Sequence, residues 1–160
     1  MKVNLIATML LVSGLFVHSL KGQTIDRSDF YAAVGSDNLD VVNAQLEEVA
    51  KSTVKNREAF EGTLMMIKAG LVFNPASKLN LFRSGHKKLD KAISKENDNA
   101  ELRFLRLMIQ ENAPGILNYR SQIDEDSKLI MSGYKNLPAV VQKVIADYSK
   151  KSKVLKSAFS

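Results

Sequence analysis

From Gln23 to Ser160 the apolar residues recur at intervals of three and four, and almost never at every second position. That period marks one face of an α-helix and is incompatible with the alternating faces of a strand. No Val/Ile/Thr alternation and no Asn-Gly or Asp-Gly hairpin turn interrupts it. The chain is therefore confined to an all-α fold, a set of antiparallel helices that bury one stripe each.

Breakers cut this region into about six helical pieces. Ser28 opens a short one with Asp29 in its first turn, and Gly35 stops it. Asp37 is placed to cap the next, which runs to about Lys51 with Leu39, Val42, Leu46 and Val49 on one side. A third spans about Val54 to Val72, its stripe set by Phe60, Leu64, Ile67 and Leu71. Asn74-Pro75 supplies a cap and an N1 proline for a fourth that ends near Glu96 and carries Leu79, Phe82, His86, Leu89 and Ile93. Asp98-Asn99 opens a fifth, which Asn112-Ala113-Pro114-Gly115 ends. Ser121 begins a further piece with Ile123, Leu129 and Ile130, and Asn136-Leu137-Pro138 begins the last, with Val141, Val144, Ile145 and Tyr148. No linker is long enough to divide residues 23–160 into two domains.

The fifth piece differs from the others. Leu102, Phe104, Leu105, Leu107, Met108 and Ile109 cover most of its circumference and leave only a narrow stripe of Arg103, Arg106 and Gln110. A helix apolar on most sides is enclosed by its neighbours, so this one belongs at the centre. Its two guanidinium groups then need partners, because unpaired buried charge is costly. Acids from other helices, such as Glu61, Asp126 or Asp147, would meet that need. Alternatively the stripe faces a groove and clamps a ligand's carboxylate or phosphate in bidentate geometry. Charge also falls in blocks: residues 23–61 sum to −4, 62–95 to +6, 96–127 to −4 and 128–160 to +6. Antiparallel packing of successive blocks sets acidic faces beside basic ones.

Residues 1–22 read as an address. Lys2 precedes an apolar run from Leu5 to Leu20, about 16 residues and short of the ~20 that span a bilayer. Cleavage after Gly22, with Leu20 at −3, leaves 138 residues beginning at Gln23. The chain has no Cys, so it carries no lipid-modified cysteine, disulfide, thiolate metal site or cysteine nucleophile. Export without cysteine or an Asn-X-Ser/Thr sequon fits the periplasm or exterior of a Gram-negative bacterium.

Chemical motifs are few. His86, one turn before Asp90, is either a general base oriented by a carboxylate or a half-buried packing histidine. Asp124-Glu125-Asp126 lacks the Gly turn of a calcium loop and suits a helix start, where the dipole favours acids. One histidine and no cysteine in the exported part leave no transition-metal set, and no metal or other cofactor is expected. Lys87-Lys88-Lys91 and Lys150-Lys151-Lys153-Lys156 lack the interleaved aromatics of a nucleic-acid surface; they read as a solvated face and a frayed basic tail from about residue 150. A Gly-rich phosphate loop, a Gly-x-Ser-x-Gly elbow and His-Glu-x-x-His are all missing.

Gly85, Leu89 and Ala92, followed by Asp98-Asn99-Ala100-Glu101, resemble the second helix and inter-repeat turn of a tetratricopeptide repeat. Asn97 stands where that family places Pro, and Arg103 and Arg106 occupy sites it fills with apolar residues. The resemblance covers about one repeat and implies a bundle or short helix stack that binds a peptide or protein partner in the cell envelope. The alternative is a small-ligand protein or enzyme using Arg103, Arg106, Gln110 or His86.

Overall fold

The computed structural model describes residues 24–158; the expected leader, residues 1–22, lies outside them. Seven α-helices and three single 3-10 turns make up the regular structure of these residues. They are α1 (Arg27–Val34), α2 (Leu39–Lys51), α3 (Arg57–Leu71), α4 (Pro75–Lys95), α5 (Ala100–Asn112), α6 (Ile123–Gly133) and α7 (Ala139–Ser149).

Side-chain caps explain most of the starts. Asn74 Oδ1 accepts from Ser77 N at 3.0 Å, with Pro75 at the first helical position. Asn99 Oδ1 accepts from the amides of Glu101 and Leu102. Two caps fall beside the expected ones. Asp26, not Ser28, begins α1, accepting from Ser28 N at 2.7 Å and Asp29 N at 3.1 Å. Asn38, not Asp37, begins α2 by accepting from Asp40 N. In each case the capping side chain precedes the first helical residue, so its oxygen reaches back-facing N–H groups of the first turn. The third helix begins at Arg57 and not near Val54, because Asn56 turns the backbone left-handed at φ 62°, a conformation Asn tolerates. Similarly α6 begins two residues after Ser121 and has no side-chain cap.

Helices α3 and α4 form a tight antiparallel hairpin. The backbones touch at Gly62 and Gly85: a Cβ on Gly62 would lie 2.5 Å from the Gly85 carbonyl, and one on Gly85 would strike that of Gly62. Only glycine permits that approach. Leu89 and Ala92 on α4 are buried in the same contact. The two glutamates of α3 then pair with basic α4 across the hairpin through Glu61–Lys88 at 3.0 Å and Glu58–Lys91 at 3.3 Å.

Helix α5 runs through the middle, with every residue from Ala100 to Gln110 buried. A chain of aromatic contacts ties it to its surroundings: Phe60 to Phe30, Phe30 to Tyr31, Tyr31 to Phe104 and Phe104 to Tyr148, with centroids 5.0–6.0 Å apart. The segment after α7 is no frayed tail. Leu155 is fully buried in the core, and Ser152 Oγ accepts from the amides of Val154 and Leu155. Glu111 on α5 accepts from Lys153 N at 2.7 Å. Burying a leucine contributes about 1.5–3 kcal/mol, enough to hold the strap down while its lysines remain in water.

Candidate functional site

The polar stripe of α5 faces α6 and α4. Asp126, in the first turn of α6 and wholly buried, receives three N–H groups from two arginines. Arg106 grips it bidentately, Nε to Oδ2 at 2.8 Å and Nη2 to Oδ1 at 2.7 Å, while Arg103 Nη1 reaches Oδ1 at 2.9 Å. Further contacts surround them: Arg103 Nε with the Asn97 carbonyl at 2.7 Å and its Nη1 with Glu125 at 3.1 Å, and Arg106 Nη1 with Asp90 at 3.5 Å. Burial alone would lower the Arg106 guanidinium, but the hydrogen bond and charge of Asp126, with Asp90 behind it, outweigh burial and raise it. Of the three acids suggested for the stripe, only Asp126 is used. Glu61 is held by Lys88, and Asp147 by Lys143 and Lys150.

His86 joins the edge of this network. Its Nε2 lies 2.6 Å from Asp90 Oδ2, its side chain is 40% exposed, and its ring meets Tyr119 edge-on at 4.4 Å. Burial, then the charge of Asp90, raises the Tyr119 phenol above its usual pKa. Gln110, one turn beyond Arg106, donates from Nε2 to Gln122 Oε1 at 3.2 Å. The structure thus brings Arg103, Arg106, Gln110 and His86 together between α4, α5 and α6. A ligand anion at the arginines would have to displace Asp126, a carboxylate already seated in bidentate geometry. Among the described residues no group of three or more His, Asp or Glu side chains is placed to hold a metal ion, and no helix is long and apolar enough to cross a membrane.

A broad concavity lies elsewhere, and none of those four residues lines it. It is a half-open trough of about 1140 Å³ over the C-terminal end of α5. Its lining includes Met108 and Ile109 of α5, Leu71 of α3, Leu79 and Phe82 of α4, Val34 of α1, and Val144 and Tyr148 of α7. The end of α3, the start of α4, the end of α5 and the 3-10 turn after Pro114 all contribute to its lining. Ile116 on that turn is 93% exposed and also lines the trough, and Leu79 is 38% exposed. Phe73, in the turn between Leu71 and Pro75, is 98% exposed. Tyr148 accepts from Asn112 Nδ2 at 3.1 Å, and burial followed by the charge of Glu111 raises its phenol.

Sequence reasoning did not find this site. Leu79 was assigned to the packing seam of its helix, and nothing local distinguishes a stripe residue covered by a neighbouring helix from one left facing a trough. The one available signal was Phe73 and Ile116, bulky apolar residues in turn segments that polar residues usually fill. Compared with protein-family models, curated proteins and solved structures, the chain matches none.

Proposed function

We propose that this chain is a non-catalytic, exported binding module that receives an apolar helical segment of a partner protein in the trough above α5. The observation that carries the reading is the trough itself: about 1140 Å³ lined mainly by apolar side chains, with exposed Ile116 and Leu79 on its walls. Helix-in-groove docking uses such a surface, with anchors spaced along one face of the partner. Exposed apolar surface of this kind marks interaction sites. Export rests on the leader-like residues 1–22 and the absence of cysteine.

The tetratricopeptide-like reading of residues 85–101 belongs to the same proposal. Supporting it, α3 and α4 close on each other through Gly62 and Gly85, with Leu89 and Ala92 in the contact. The arginine network supports the module as its internal frame, with donors spent on Asp126, Glu125, Asp90 and the Asn97 carbonyl.

The test is site-specific photocrosslinking in the native envelope. A photoreactive side chain at Leu79 or Ile116 is expected to yield a discrete protein adduct, and one at Val41 or Met131, exposed but away from the trough, none. Equal labelling at all four positions, or adducts with lipid alone, would refute the reading.

A further inference from the structure

We infer that the segment the trough receives is an amphipathic helix whose apolar face is flanked by acidic residues. This rests on the trough reading above and adds to it the chemistry of the partner. Two observations carry it. First, the trough is half-open, so any occupant keeps one side in water. An acyl chain lying there would leave methylene surface exposed and forfeit much of its hydrophobic gain, whereas an amphipathic helix has a polar face to present. Second, the lining carries cations on separate elements. They are Lys78 of α4, Lys143 of α7 and Lys151 just beyond α7.

Asp147, also on the α7 side, is already answered by Lys143 at 3.1 Å and Lys150 at 2.7 Å. Lys78 has no carboxylate within ion-pair distance among the described residues, and Lys151 lies over the Tyr148 ring at 5.2 Å. The remaining acid in the lining is Asp37, in the turn between α1 and α2. Glutamates on the flanks of a docked helix would therefore meet Lys78 and Lys151. Such rim charges select and steer a partner more than they hold it, because exposed pairs are weak and screened by salt.

The experiment titrates the protein, purified as the cell delivers it, with two fluorescent helical peptides about four turns long. They share one Leu/Phe face; one carries Glu on both flanks and the other Lys. The acidic peptide is expected to bind about tenfold more tightly at low salt, a few-fold for each of two edge pairs, and the gap should shrink as salt rises. Lys78→Glu with Lys151→Glu, both exposed positions, is expected to reverse the preference. Equal affinities at all salt concentrations would overturn the inference and leave the trough reading standing. Failure of both peptides to bind, with dodecanoate instead perturbing Leu79 and Phe82, would overturn both in favour of a lipid-like occupant. Binding that survives Leu79→Glu and Ile116→Glu unchanged would overturn both by placing the peptide outside the trough.

Discussion

Asp126→Asn should be among the most damaging single-atom-scale changes available in this protein. The substitution preserves shape and replaces a carboxylate oxygen with an NH₂ group. Three guanidinium N–H groups converge on the native carboxylate at 2.7–2.9 Å. In the variant two of the closest contacts cannot both be accepted, and two cations one turn apart on α5 lose the anion between them. The side chains of Arg103 and Arg106 are only 6% and 8% exposed, so water cannot substitute fully. Removing one partner of a buried pair costs about 3–5 kcal/mol. Glu125 at 3.1 Å and Asp90 at 3.5 Å still offset part of the repulsion, which keeps the expected loss within that range. Against a total stability of about 5–15 kcal/mol, this lowers the melting temperature by roughly 10–20 °C. Thermal and urea denaturation followed by circular dichroism measure it, with Asp147→Asn as the exposed control expected to melt like the native protein. The joint replacement Arg103→Met, Arg106→Met and Asp126→Leu is expected to keep or raise stability, since no charge is then left buried alone. Melting of Asp126→Asn within a few degrees of the native protein would refute the reasoning and show the arginines reaching water or another anion.

Two further predictions concern the α3–α4 hairpin and the turn beside it. Gly85→Ala forces a Cβ into the Gly62 carbonyl and should cost about 1–3 kcal/mol, whereas Gly70→Ala, with nothing within 4 Å of the new methyl, should stabilise by about 0.4–1 kcal/mol; paired urea titrations decide both, and equal effects would contradict the close backbone contact. Glu96 accepts from Lys55, Asn99 and Asn56, which lower its pKa from 4.5 to about 2. A carboxyl depressed in the folded state contributes its stability above the unfolded pKa and loses it as pH falls through the folded one. The gap between native and Glu96→Gln stability, on the order of 1 kcal/mol for solvent-screened pairs, should be constant above about pH 5.5, shrink below pH 4.5 and vanish only below about pH 2. A gap unchanged down to pH 2 would show that the fold does not depress the Glu96 carboxyl.

Much of the architecture could be read without coordinates. Asn74-Pro75 and Asn99 announce helix starts because capping is a contact between near neighbours in sequence. The nearly all-apolar surface of residues 102–109 places α5 at the centre, since a helix with no wide polar face has nowhere else to go. Complementary charge on residues 23–61 and 62–95 foreshadows the Glu61–Lys88 and Glu58–Lys91 pairs. The need of Arg103 and Arg106 for an anion was equally legible, because desolvation of a guanidinium costs the same whichever acid relieves it.

The identity of that acid was not legible. Glu61, Asp126 and Asp147 are equivalent in one dimension; the packing of α6 against α5 puts Asp126 between the arginines, while Glu61 and Asp147 are claimed by lysines on α4 and near the end of α7. The burial of Leu155 in a lysine-rich segment has the same origin, a core position supplied from distant elements. So does the trough. Periodicity tells each helix which side to bury, a property of its own neighbours at three and four residues. Whether that side meets another helix or an opening depends on where helices far apart in sequence end, and those distances are set only when the whole chain packs.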